Sequence, residues 1–217
     1  MQEAQFHALQ AVPTMIVTIS NEYGSGAVAI AHRAAELLNY RLVDQELPVV
    51  VAKRLSTSPE AVDASEDTTR NLGERLISGL EAGTPELSLA GPPADNFDQD
   101  VMRAVQSAVR EFAEGGNVFL IGRGANAILG RRDDVLRVFM HAPRDWRVHH
   151  IMDAGHVDEK LAAAEVDRID RARRAYIRDY YGLDWGDPRH YDLSLDTARF
   201  GEECCAALIV DAVRRCS

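Results

Sequence analysis

Lysine is nearly missing from this chain: Lys53 and Lys160 stand against twenty-two arginines in 217 residues. Any phosphate chemistry therefore falls to arginine, to backbone N–H groups or to a metal. With abundant alanine, the bias fits coding composition better than function. Cysteine is also scarce. Cys204, Cys205 and Cys216 show no C-x-x-C spacing and no nearby histidine, which excludes a zinc ribbon or a disulfide framework. Adjacent cysteines on a helix diverge by about 100°, so the pair reads as idle thiols. No apolar run approaches the roughly 18 residues of a membrane-spanning helix. The first fourteen residues hold neither a basic segment nor an apolar stretch, so no secretory signal, no membrane and a cytoplasmic location are expected. Internal repeats and low-complexity segments are absent.

What remains is ordinary for a soluble domain: 46% hydrophobic and 27% charged residues, enough chain for one α/β domain with a small helical insert. The net charge of −10 argues against a nucleic-acid partner. Its distribution says more. Glu60 to Asp100 carries ten acids and two arginines, whereas Arg123 to Arg178 carries twelve basic residues against nine acids. The capacity to attract anions lies in the C-terminal half.

The pattern of elements is strand, helix, strand, helix. Residues 1–13 read as a flexible tail and 14–217 as a single domain. An apolar β-branched run at 15–20 leads through Gly24-Ser25-Gly26 into helical spacing at 27–38. Arg41 to Asp44 reads as a second strand, and Gln45 to Leu55 as a helix. Ser58-Pro59-Glu60 signals a helix start, followed by a helical pattern through Leu80. Gly83 to Phe97, rich in glycine and proline, reads as a long loop. Asp98 is expected to cap a helix that Gly115-Gly116 ends, and NVFLI at 117–121 to form a strand buried on both faces. A strand at 135–140 and a helix from Pro143 to Met152 follow. Asp158 to Tyr180 reads as one long Arg-rich helix, before a strand at 193–195 and a helix from Gly201. Such alternation implies a three-layer α/β fold with about five mainly parallel strands and helices on both faces.

Three clusters converge at the C-terminal edge of such a sheet. The strand–glycine–helix stretch around Gly24-Ser25-Gly26 suits an anion, because glycine admits close approach and the helix N-terminus favours negative charge. An ordinary βα turn has the same look. Arg123 directly follows a buried strand. Arg168, Arg171, Arg173, Arg174 and Arg178 form two helical stripes with Asp167 and Asp170 between them, as a solvated ion-paired surface or as the charge-neutralising set of phosphoryl transfer.

With those residues in view, the chain resembles the cytidylate kinase-like proteins, relatives of nucleoside monophosphate kinases in the P-loop NTPase-type fold. TISNEYGSG at 18–26 resembles their first strand and degenerate phosphate loop, and LVDQEL at 42–47 their second strand. FLIGRGANAIL at 119–129 resembles the substrate-contacting turn, and RVFMHAPRDWRVHHIM at 137–152 the segment before the lid. DRIDRARRAYIRDYYGLDWGDPRHYDLSLDT at 167–197, the most specific stretch, resembles the lid and last strand. The resemblance implies phosphoryl transfer from ATP, with Mg²⁺, to a nucleoside monophosphate, a cytidylate-type acceptor favoured. Gly24, Ser25, Gly26 and Ala27 would hold the ATP phosphates. Asp44, Arg123, Asp170 and Arg178 would hold the acceptor. Arg173, Arg174 and Arg123 would act on the transferring group. Residues 56–97 would be an acceptor-binding insert and 157–191 the lid. Arg147 is left between assisting the phosphoryl group and a structural salt bridge.

The loop departs from G-x-x-x-x-G-K-[ST]. Ala27 stands at the lysine position, Val28 or Ala29 at the hydroxyl position, and Asn21 where related loops usually carry arginine. Three readings follow: a kinase in which arginines replace the lysine, a nucleotide-binding regulatory protein without turnover, or a kinase for another small acceptor. His149-His150 reads as a solvated pair, and Trp185 and Tyr191, which could stack on a base, read rather as loop packing. Tyr176, Tyr180 and Tyr181 read as core or a homo-oligomer contact.

Overall fold

The computed structural model describes residues 14–44, 46–59 and 94–216. In chain order these form β1 (Ile16–Asn21), α1 (Ala27–Leu38), β2 (Arg41–Val43), α2 (Glu46–Leu55), α3 (Ala94–Glu114), β3 (Val118–Ile121), α4 (Ala125–Leu129), β4 (Val135–His141), α5 (Arg144–Gly155), α6 (Glu159–Tyr181), β5 (Leu193–Asp196) and α7 (Thr197–Arg215). Most of the expected insert, and the tail, lie outside the described residues. The five strands are parallel in the order β2-β3-β1-β4-β5.

Period-two alternation in the central strands builds both layers. Val17, Ile19, Phe119, Leu136 and Val138 face Ile30 and Ala34 of α1 and Ile209 and Val213 of α7. Ile16, Val118, Leu120 and Val135 face Val51 of α2 and Val101, Val105 and Val109 of α3. Covered on both sides, the strands carry apolar residues at almost every position. Thr18 in β1 is a buried polar exception, and Arg137 in β4 is a charged one, 7% exposed, whose guanidinium donates to Asp192 at 2.7 and 3.0 Å.

Helix ends follow local chemistry. Asn39 takes a left-handed turn after α1, and its N–H meets the carbonyls of Ala35 and Glu36. Asp158 caps α6 by accepting from the Leu161 N–H at 2.9 Å, and left-handed Gly182 ends it. Two boundaries differ from the sequence expectation. α3 begins at Ala94 rather than at Asp98. α7 begins at Thr197 with an Asp196 cap, and Gly201 is a kink inside it (φ 72°, ψ 170°) rather than its start. A glycine that breaks regular dihedrals reads as a helix boundary in sequence, yet here one turn precedes it.

The chain leaves β1 toward β2 on one side, and the β3–β4 connection crosses β1 to the other. Such a reversal opens a crevice at the carboxyl ends of the strands. The loop after β1, Asp44 after β2 and the turn after β3 all border it.

Candidate functional site

The crevice holds a cavity of about 380 Å³ lined by Ser20, Asn21, Tyr23, Asp44, the Gly122–Gly124 turn, and Arg173, Tyr176 and Trp185 among others. Its floor is the sheet edge, and α6 forms one wall.

The loop between β1 and α1 is held from below by two helices. Arg147 of α5, 5% exposed, donates to the carbonyls of Ala142 (3.0 Å) and Tyr23 (2.8 Å) and to the Asp170 carboxylate (2.7 Å). Asp170 of α6, also buried, accepts in turn from the Tyr23 N–H at 2.9 Å. Glu22 approaches the same guanidinium at 3.3 Å. Arg147 is thus the structural salt bridge of its two readings. Asp170 does not line the cavity; its carboxylate is consumed by the loop and by Arg147, which departs from the acceptor-binding role expected of it.

Arg173, three residues on, does enter the cavity. Its Nη1 donates to the Asn21 carbonyl at 2.5 Å, and its guanidinium lies 6.0 Å from the Tyr23 ring. The two other lid arginines expected at the site lie elsewhere. Arg174 is exposed, 5.7 Å over the Trp185 ring, and Arg178 is exposed and paired with Asp179 at 2.7 Å. A helix presents successive residues about 100° apart, so only one stripe faces inward.

Arg123 sits in a turn of three successive left-handed residues, Gly122 (φ 68°), Arg123 (φ 55°) and Gly124 (φ 68°). Glycine takes that conformation freely, while arginine does so at a cost of roughly 1–2 kcal/mol. The turn is fastened by the Gly122 N–H to the Ile19 carbonyl (2.8 Å) and by the Ala125 N–H to the Gly122 carbonyl (3.0 Å). Gly124 is required by packing as well: a Cβ there would meet the Tyr181 ring at 2.7 Å. Asp44 completes the group. Burial pushes its carboxyl above the usual carboxylate range, and the nearby Arg123 and Arg173 pull it back only in part.

At the loop itself, Gly24 is pressed against α5, where a Cβ would meet the Arg147 carbonyl and Ile151 at 3.0 Å. Gly26 precedes α1 in a left-handed conformation, and no side chain caps that helix. The Ser25 hydroxyl is buried and has no hydrogen-bond partner among the described residues. The Ser25 N–H is spent on the Glu22 carbonyl (3.2 Å), but a nucleotide phosphate fits the uncapped helix N-terminus beside it. Ala27, at the lysine position, is 2% exposed and packs into the core. A protein-held Mg²⁺ does not fit: Val28 and Ala29 offer no hydroxyl, and no cluster of three ligating side chains occurs among the described residues.

For Trp185, sequence reasoning favoured loop packing over stacking on a base. It is 4% exposed, meets Phe139 edge-on at 5.4 Å, and also lines the cavity. Tyr23 went unnoticed; its place inside the glycine loop was the available signal. Cys205 is buried, its thiol pushed up to about 11 by burial, in keeping with an idle role. No helix among the described residues is long and apolar enough to cross a membrane.

A glycine loop between the central strand and first helix of a parallel sheet, with helices on both faces, defines a three-layer P-loop NTPase-type protein. Residues 16–199 match the family model described as the cytidylate kinase-like family, and the chain belongs to that family. A cytidylate kinase of Halobacterium salinarum is 28% identical over 200 residues, spanning 92% of this chain and 89% of that protein. One from Natronomonas pharaonis is 29% identical over 201 residues, with the same shares. Among solved structures, an uncharacterized protein from Eubacterium ventriosum shares the fold, with TM-score 0.67 and 22% identity over 93% of this chain and 99% of that one.

Proposed function

We propose that this protein transfers a phosphoryl group from ATP to a nucleoside monophosphate, with a cytidylate-type acceptor. The observation that carries the reading is the meeting of Arg123, Arg173 and Asp44 in one cavity, bordered by Asn21 and Tyr23 just before the glycine loop.

Phosphoryl transfer is mostly positioning and charge neutralisation. Bound ATP supplies the transferable phosphoryl group. The backbone of Gly24 to Gly26 and the uncapped first turn of α1 would hold its phosphates. Arg173 would exchange its hydrogen bond to the Asn21 carbonyl for a phosphoryl oxygen. Arg123, on a turn fastened at both ends, would orient the acceptor phosphate. Asp44, when ionised, only accepts hydrogen bonds and so favours a base with an exocyclic amino group over one presenting a carbonyl. Among the described residues Mg²⁺ has no protein-built site, and it would arrive with nucleotide phosphates, as that ion commonly does.

A coupled ADP-release assay over CMP, dCMP, UMP and AMP tests this. Turnover is expected, highest with the cytidylates. No turnover with any of them, using folded protein, overturns it. The burial of Ala27 favours a second reading, nucleotide binding without transfer, for which calorimetry would register binding while no ADP appears.

A further inference from the structure

We propose that His150 is a phosphate-binding residue of the glycine loop, supplying a side-chain donor where Ala27 supplies none. The proposal rests on the reading of that loop as the donor-phosphate site. Its starting point is a contrast between two glycines. At Gly24 the space a Cβ would fill is already occupied by protein, the Arg147 carbonyl and Ile151. At Gly26 the one heavy atom within 4 Å is His150 Nε2, at 3.9 Å. Packing fills the space beside the first glycine but not beside the second, whose left-handed φ of 74° already calls for glycine. The open side of Gly26 leaves room for an incoming group, and an imidazole nitrogen stands on its rim.

The ring is held in place. Trp146, one helical turn earlier on α5, stacks on it at 5.0 Å with only 9° between planes. That stack limits rotation of the imidazole. The ring nitrogens of His150 make no hydrogen bond among the described residues, whereas Nδ1 of the neighbouring His149 lies 2.7 Å from the Asp145 carbonyl. His150 is also exposed, so an anion reaches it without rearrangement. Two further groups at the loop lack partners, the buried Ser25 hydroxyl and the first turn of α1. The first-turn N–H groups of α1 and the imidazole both adjoin Gly26, and the buried Ser25 hydroxyl lies one residue before it. Tripolyphosphate, as the inorganic counterpart of a nucleotide's phosphate chain, is the ligand chemistry they fit.

Isothermal calorimetry of the full chain with tripolyphosphate, repeated with ATP, tests the assignment. His150→Ala is expected to bind tripolyphosphate about tenfold more weakly, the size of one charge-assisted hydrogen bond. His150→Gln, which keeps a donor, recovers part of the loss, and His149→Ala binds as the parent does. In the parent, the ring nitrogen signals of His150 are expected to shift on titration with tripolyphosphate, a response that a packing role would not produce. Unchanged affinity in His150→Ala overturns the proposal and leaves the loop reading standing. An equal loss in His149→Ala overturns it too, because the effect would then belong to the helix as a whole. Failure of the parent to bind either tripolyphosphate or ATP overturns the loop reading, and the role of His150 falls with it.

Discussion

Arg147 and Asp170 meet 2.7 Å apart with both side chains buried, one reaching from α5 and the other from α6. Between them they hold the Tyr23 carbonyl and the Tyr23 N–H. The loop is therefore shaped before any ligand arrives, by an ion pair whose members are 23 residues apart.

Removing one member of a buried pair leaves the other charge uncompensated and costs about 3–5 kcal/mol. Asp170→Ala is expected to fall at the lower end of that range, because Glu22 also approaches Arg147 at 3.3 Å. Urea denaturation measures it. Combining Asp170→Leu with Arg147→Met is expected to recover much of the stability without recovering nucleotide binding, since the apolar pair packs but no longer holds Tyr23.

Arg173 has the opposite profile. At the cavity edge it donates to the Asn21 carbonyl. Arg173→Ala is expected to lower kcat by roughly 10³, the lower range for arginine groups in this chemistry, with little change in the denaturation midpoint. A variant that retains full turnover would remove Arg173 from the mechanism.

Two carboxylates are expected to respond to pH in opposite senses. Burial raises Asp44 above its ordinary value, so the folded state binds more protons than the unfolded one across the window between the two. Stability from this group falls as pH rises through that window. Asp44→Asn is therefore expected to be more stable than the parent at neutral pH and equal to it in acid, while binding the acceptor less well. Hydrogen bonds from Arg137 hold Asp192 below its ordinary value. Its contribution is complete above the ordinary carboxylate range and is lost as pH falls through the lowered value. Asp192→Asn is expected to be less stable at neutral pH and to converge with the parent in acid. Thermal unfolding of both variants from acid to neutral pH separates the two signs.

The turn after β3 offers a comparison of two glycines with the same φ of 68°. Gly122→Ala meets nothing within 4 Å and carries only the left-handed cost of roughly 1–2 kcal/mol. Gly124→Ala carries that cost and also drives a methyl group into the Tyr181 ring, adding about 1–3 kcal/mol of overpacking. Equal denaturation midpoints would mean that Tyr181 swings aside freely.

Much of the sheet was legible because its strands are short, apolar and bounded by glycine or proline. β1, β3 and β4 all lie within a residue or two of their expected ranges. The boundaries of α3 and α7 were less so, since a cap is set by a side chain meeting a backbone N–H and not by apolar spacing. The candidate site was legible as a set of loops. Arg123 and Asp44 follow strands whose ends the alternation located, and both border the cavity. The arginines of α6 were legible only as a group, because helical spacing assigns residues to faces without saying which face turns inward.

The order of elements, the glycine loop without its lysine and the shift of positive charge toward the C-terminal half are properties of the sequence alone. They depend on local periodicity and composition, which need no partner. The division of labour within α6 was decided by tertiary structure. Asp170 is bound to Arg147, Arg173 faces the cavity, and Arg174 and Arg178 are left in solvent. Those fates follow from how α6 is rotated against α5 and the loop. That rotation is fixed by contacts between residues far apart in the chain, which no local pattern records.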